Sequence, residues 1–139
     1  MIFNFKTRQL ARNFKKNVKT NDIKMTSFYV YKCVKKAHRK YFAPFHGTEY
    51  QLGETYKTKM PLKISCERDS NNKAIKNTWY ININQGFFAY TDYNKAVRNL
   101  KRGQAVLCCI IPKNTKYLIF ENDRYQDIVS EEIYVIGEV

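Results

Sequence analysis

The sequence predicts an α+β protein: a curved, mostly antiparallel sheet or half-barrel of about seven strands, one helix in the body and a basic N-terminal helix. Two observations favour this fold class. Short segments of alternating apolar residues recur from residue 27 onward, with turn residues between them. Helical spacing of apolar residues occurs in two places, near the start and around residues 92–101.

The first 25 residues are predicted to form a basic arm, and residues 26–139 a single domain. Leu10, Phe14 and Val18 recur every four residues, which predicts one apolar stripe on a helix. The bases that cover the rest of this helix and its end are Arg8, Arg12, Lys15, Lys16 and Lys19. Such a helix suits nucleic acid, an acidic membrane surface or a partner's groove, or it docks its stripe on the protein's own body.

The body begins with strands. The predicted strands cover residues 27–35, 54–59, 62–67, 77–84, 105–111, 116–121 and 132–139. The turn signal at 69–72, Asp-Ser-Asn-Asn, is expected to join two of them into a hairpin. Segment 105–111 is apolar on both faces and is therefore expected to lie in the middle of a sheet.

One helix is expected within the body. Thr91 or Asp92 is a suitable N-cap, and Gly103 ends the helical pattern after about residue 101. The positions predicted to face inward are Ala96, Val97 and Leu100.

Positive charge is concentrated at one end of the chain. Residues 1–40 contain twelve Lys and Arg and the single acid Asp22, which gives +11 of the total +13. Residues 104–139 contain three bases and six acids. This asymmetry favours a polyanionic partner, either nucleic acid or an acidic protein surface. The alternative explanation of the positive charge is compositional. A genome rich in A and T favours Lys and Asn throughout its proteins, whatever they bind.

A second basic group follows the first body strand directly. The residues predicted to bind there are Lys35, Lys36, Arg39, Lys40 and Tyr41, with His38 and Phe42 beside them. Lysine and arginine neutralise phosphates, and aromatic rings stack on unpaired bases. A third basic patch comprises Lys95, Arg98, Lys101 and Arg102.

Metal, cofactor and membrane motifs are not found in the sequence. The four cysteines include no Cys-x-x-Cys pair, so buried free thiols are favoured over a disulfide framework or a zinc site. We expect no cofactor, no transmembrane segment and no secretory signal, and hence a cytoplasmic protein. The oligomeric state is left open.

Two short segments suggest an enzymatic alternative. His46-Gly47-Thr48 and the later Gly86-Phe87-Phe88-Ala89 resemble motifs of the ADP-ribosyltransferase family. The resemblance implies that His46 holds a nicotinamide cofactor, that the aromatic segment stacks on it, and that a late glutamate orients the ribose. Glu132 is the candidate for that glutamate, with Glu131 and Glu138 as alternatives. The other interpretation is a turn glycine beside a surface histidine.

A longer resemblance covers residues 28–139. The order of Val-Tyr-Lys-Cys-Val, Gly-Phe-Phe-Ala-Tyr and a late Val-Ser-Glu-Glu-Ile strand is similar to a family of small uncharacterised bacteriophage proteins. It implies a phage origin and a compact α+β body. The leading hypothesis is therefore a phage-encoded accessory protein that binds nucleic acid or an acidic host surface in the host cytoplasm and inhibits host machinery. A virion or assembly component is a third hypothesis.

Overall fold

The fold is described by a computed structural model that covers residues 2–5, 8–17, 19–21, 28–44, 47–68, 79–84, 86–119 and 126–139. In chain order the elements are β1 (Ile2–Phe5), α1 (Arg8–Asn17), β2 (Lys19–Asn21), β3 (Phe28–Ala37), β4 (Lys40–Phe42), β5 (Glu49–Tyr50), β6 (Thr55–Lys57), β7 (Lys63–Arg68), β8 (Trp79–Asn84), β9 (Phe87–Ala89), α2 (Tyr93–Arg98), β10 (Gln104–Ile111), β11 (Tyr117–Ile119), β12 (Ile128–Ser130) and β13 (Glu132–Glu138).

The predicted α+β class with antiparallel strands is confirmed. The described strands form three open sheets, ordered β5-β4-β3-β10-β13-β6, β1-β8-β7 and β2-β11-β12-β9, with antiparallel pairing throughout. The prediction of about seven strands in one sheet is wrong, because the chain has more strands and divides them among three sheets. Several of the extra strands span only two or three residues, too few for alternation to be visible in the sequence.

The predicted central strand is confirmed. β10 lies between β3 and β13, and its pairing with β3 runs without a break from Gln104–Lys35 to Ile111–Phe28. One face of this sheet, here called the inner face, carries the main core around Val30, Leu107 and Val135. On the opposite face, the helix face, α2 packs against β3.

The helix α2 is shorter than predicted. Asp92 is its N-cap, and its carboxylate accepts a hydrogen bond of 3.0 Å from the amide of Asn94. Ala96 is fully buried and its carbonyl accepts from the Cys33 thiol at 3.2 Å. The predicted inward positions Val97 and Leu100 are instead 42% and 39% exposed, because a helix of six residues presents only one residue per turn to β3.

The N-terminal residues pair with the rest of the chain. β1 pairs with β8, β2 pairs with β11, and α1 contacts β1, β7 and β8. On α1 it is Ala11 that is fully buried, whereas Leu10, predicted to lie on the apolar stripe, is 51% exposed. Consecutive helix residues point about 100° apart, so the burial of Ala11 leaves Leu10 turned toward solvent. The boundary between an arm at 1–25 and a domain at 26–139 stays a prediction.

The predicted hairpin is confirmed. β7 and β8 pair along their full length, from Lys63–Asn84 to Arg68–Trp79. The turn signal at 69–72 lies outside the described residues.

Candidate nucleic-acid interface

A tight turn interrupts the basic run that follows β3. β3 and β4 pair up to Ala37 and Lys40, so only His38 and Arg39 form the loop. Both have positive φ, 52° and 65°, which is the signature of a type I′ hairpin turn. That turn normally uses Asn-Gly, because the left-handed conformation costs other residues about 1–2 kcal/mol each. The sequence does not predict this hairpin, because His-Arg is not a turn signal.

A second basic segment lies beside the same strand end. The amide of Lys36 donates to the carbonyl of Gly103 at 3.0 Å, and Gln104 pairs with Lys35. The preceding turn is closed by hydrogen bonds in both directions between Lys101 and Gln104. These contacts bring Lys101 and Arg102, which are far from β3 in sequence, to its end.

We call the resulting set of exposed cations the basic end of the sheet. Its members are Lys35, Lys36, Arg39, Lys40, Lys101 and Arg102. Within the described parts of the chain, three ion pairs form, and Lys36 is the member of the basic end that takes part in one. Strand alternation sends Lys35 and Lys40 to the helix face and Lys36 to the inner face. The charge therefore surrounds the sheet end rather than covering one flat surface.

Three side chains form a cluster at this end. Glu138 Oε2 accepts a hydrogen bond from Lys36 Nζ at 2.7 Å and from the Tyr41 hydroxyl at 2.6 Å. Lys36 Nζ also lies 5.8 Å from the centre of the Tyr41 ring. The hydrogen bond with Glu138 raises the pKa of Lys36 and that of Tyr41, and hydrogen bonds from both hold the pKa of Glu138 below its ordinary value.

Lys32 lies on the same strand as Lys35 and Lys36 but is not part of the exposed basic surface. It is 8% exposed, and its Nζ donates to the carbonyl of Phe88 and lies 5.7 Å from the Tyr50 ring centre. Burial lowers the pKa of Lys32 to about 8. Its ammonium group therefore joins β3 to β9 inside the protein, where it cannot reach a large partner.

The bases predicted on the N-terminal helix belong to α1 and β2, and neither element is part of the sheet that contains β3. Arg8 and Arg12 are exposed on α1, which packs on β1, β7 and β8. For Lys15, Lys16 and Lys19 the backbone is placed in α1 and β2, and their side chains are outside the described residues. The element contacts described for α1 are with β1, β7 and β8, and none of these strands belongs to the sheet of β3.

Lys95, predicted in the third basic patch, is also set apart. Its Nζ lies 3.7 Å from a carboxylate oxygen of Asp127, and its side chain is 13% exposed. Asp127 in turn accepts hydrogen bonds from the amide and hydroxyl of Thr91, at 2.9 and 2.6 Å. Lys95 thus belongs to a contact that anchors the start of α2, whereas Lys101 and Arg102 join the basic end.

The structure describes the glutamates and the aromatic segment of the enzymatic alternative. His46 lies outside the described residues. Glu131 and Glu132 line a cavity of about 320 Å³, where Glu132 lies 3.8 Å from Lys57 and Glu131 accepts from the amide of Leu62 at 2.8 Å. Neither Phe88 nor Tyr90 is among the described lining residues of that cavity. The ADP-ribosyltransferase hypothesis stays a prediction without an assembled site in the described structure.

The glycine of the Gly86-Phe87-Phe88-Ala89 segment has a packing role. Gly86 has φ +99°, and a Cβ there would lie 2.4 Å from Val129 Cγ2 and 2.5 Å from Leu62 Cδ2. Both neighbours are buried. A glycine is therefore required at this position by the fold alone, whatever cofactor the motif suggests.

The surroundings of the described thiols favour their protonated form. Cys33, Cys108 and Cys109 are free, and burial raises the pKa of each, to about 12 for Cys109. A thiol that keeps its proton is a poor nucleophile and metal ligand. Among the residues that the structure describes, no group of three or more His, Cys, Asp or Glu is placed to hold a metal ion, and no helix has the length and apolar character to cross a membrane.

Comparisons with family models, curated proteins and solved structures gave no match. The resemblances to bacteriophage proteins and to ADP-ribosyltransferases therefore stay predictions.

Proposed function

We propose that the protein is a non-enzymatic nucleic-acid-binding protein whose primary contact is the basic end of the sheet. The observation that carries the proposal is the convergence of two separate basic segments, 35–40 and 101–102, at one end of β3. A solvated surface gains nothing from bringing like charges together, whereas a chain of phosphates is attracted by them.

The shape of the basic end supports contacts with phosphates rather than with bases. Lys35 and Lys40 project from one side of the β3–β4 hairpin, Lys36 projects from the other, and Arg39 lies at its tip. Cations arranged around a narrow projection can contact the phosphates of a curved nucleic-acid backbone without requiring a groove in the protein. We therefore expect binding that depends strongly on salt and weakly on sequence.

Binding of a labelled oligonucleotide across a salt series tests the proposal. If six cations each neutralise one phosphate, the logarithmic salt slope is about −4 for a single strand, and affinity falls by about 250-fold between ~50 and ~200 mM salt. A flat salt dependence would contradict phosphate contacts. Binding to polyglutamate without binding to oligonucleotides would instead indicate an acidic protein as the partner.

A pair of matched variants locates the contact. Replacing Lys35 and Lys40 with alanine removes two charges from the basic end, and we expect affinity to fall on the order of tenfold with a slope shallower by about 1.4. The control replaces Lys59 and Lys113 with alanine. Both are exposed, and Lys113 follows the opposite end of β10, about 25–30 Å along the strand direction. Equal losses in the two variants would show that net charge alone binds.

The N-terminal helix is tested separately. Because α1 packs on another sheet, replacing Arg8 and Arg12 with alanine is expected to weaken binding less than replacing Lys35 and Lys40.

We further propose a cellular role for this binding. The protein is then the phage-encoded accessory protein that its resemblance implies, and it inhibits host machinery by occupying nucleic acid.

A further inference from the structure

The Glu138 carboxylate occupies a position with two strong donors beside it. Lys36 and Tyr41 are directly opposite each other across β3 and β4, and both donate to the same oxygen, Glu138 Oε2. Glu138 ends β13, a strand that β10 separates from β3. Three elements therefore meet at one carboxylate oxygen.

We propose that Lys36 and Tyr41 form a subsite for a phosphate oxygen of the nucleic-acid backbone, and that Glu138 occupies this subsite as an internal competitor in the free protein. The inference rests on the proposed function and specifies one contact of the basic end. A phosphate oxygen has the same requirements as a carboxylate oxygen: negative charge and hydrogen-bond donors at about 2.7–2.9 Å.

The donors are held ready by the fold. Cross-strand pairing sets the separation of the Lys36 and Tyr41 backbones, and the ammonium group lies over the Tyr41 ring at 5.8 Å from its centre. The backbone pairing does not involve Glu138. The two donor residues therefore stay side by side when the carboxylate leaves, within reach of an incoming phosphate.

The carboxylate is displaceable. The side chains of Lys36 and Glu138 are 42% and 35% exposed, and ion pairs in contact with water contribute little to stability. A backbone phosphate reaching Lys36 is also attracted by the other cations of the basic end, which a single carboxylate on β13 does not neutralise. Competition therefore favours the polyanion once the neighbouring contacts form.

The test compares Glu138→Gln with wild type for binding of a short single-stranded oligothymidylate. Removing the competitor is expected to raise affinity on the order of threefold to tenfold, because the phosphate no longer has to displace the carboxylate. The matched control is Glu54→Gln, which makes the same charge change at an exposed side chain away from the cluster, with an expected gain below about twofold.

A second substitution assigns the gain to the subsite. Adding Lys36→Met to Glu138→Gln is expected to abolish the gain in affinity and to make the logarithmic salt slope shallower by about 0.7, one phosphate contact. If wild type binds the oligonucleotide and Glu138→Gln binds no better than Glu54→Gln, the subsite is wrong and the proposed function stands. If no form binds, the proposed function fails and the subsite with it.

Discussion

The middle of β3 and its solvated end place the same residue type in opposite environments. Lys32 and Lys36 are four positions apart on the same inner face, yet Lys32 is 8% exposed and Lys36 projects at the solvated end. Lys32 donates to a backbone carbonyl of β9, whereas Lys36 forms an ion pair with Glu138. The comparison shows that a lysine in this strand acts as a core group or as a binding group according to what covers it.

The pKa values of the two lysines move in opposite directions. Burial lowers the pKa of Lys32 to about 8, because the ammonium form loses its water and gains only a neutral acceptor. The hydrogen bond to Glu138 raises the pKa of Lys36. The middle of the strand thus opposes charge, whereas its solvated end favours it.

The largest expected effect is at the buried contact between Lys32 and β9. Gly86 immediately precedes β9, which supplies the carbonyl that Lys32 binds. Gly86→Ala is expected to lower the free energy of unfolding by about 2–5 kcal/mol, from strain at positive φ and overlap with Val129 and Leu62. Urea denaturation measures the change.

Gly53→Ala separates the two causes of that loss. Gly53 also has positive φ, +83°, but a Cβ there would meet no atom within 4 Å. Its expected cost is therefore the backbone strain alone, about 1–2 kcal/mol. Equal losses at the two glycines would mean that the contacts with Val129 and Leu62 do not constrain β9.

The next effect is the pH dependence that Lys32 adds to stability. Its folded pKa of about 8 is below its ordinary value of 10.5, so between these pH values the unfolded chain binds more protons. The cost of burying the ammonium is therefore full below pH 8 and relieved as pH rises toward 10.5. Relative to Lys32→Met, wild type is expected to gain about 3 kcal/mol across this range.

The comparison with a variant is necessary because other groups act in the opposite sense. Burial raises the pKa of Tyr50, Tyr90 and Cys109 to about 12, and such groups lower stability as pH rises. The matched control is Lys36→Met, on the same strand and face. Its difference from wild type should stay flat up to pH 10.5, because the folded pKa of Lys36 is raised above its ordinary value of 10.5. A flat difference for Lys32→Met as well would contradict the buried ammonium.

The features predictable from sequence were those with a long or local signal. The unbroken apolar run of β10, the Asp92 cap of α2 and the pairing of the segments around 62–67 and 77–84 all have such a signal. The candidate site divides in the same way. The bases at 35–40 were visible as a run, whereas their meeting with 101–102 depends on the pairing of β3 with β10.

Two other features could not be predicted because tertiary contacts decide them. Alternation along β3 places Lys32 on the inner face, but its burial depends on Tyr50 and Phe88, which are distant in sequence. The turn at His38 and Arg39 forms against local preference, because strand pairing on both sides leaves only two residues to close the hairpin.

The smallest expected effect on stability is at that turn. Replacing His38 with Asn and Arg39 with Gly supplies the residues that a type I′ turn prefers, and is expected to stabilise the protein by about 1 kcal/mol. The same change removes one cation from the tip of the basic end, so oligonucleotide affinity should fall. His38→Asn alone relieves strain and keeps Arg39, and is expected to keep full affinity.

Comparing the stability and the oligonucleotide affinity of these two variants shows whether the strained turn serves binding. Urea denaturation gives the stability of each, and the oligonucleotide salt series gives the affinity. A double variant that is more stable and binds more weakly would mean that the basic tip is kept at the expense of hairpin strain, as expected where binding requires it. If the double variant binds as tightly as wild type, Arg39 makes no phosphate contact. The binding surface of the hairpin then excludes Arg39 and includes Lys36 and Lys40.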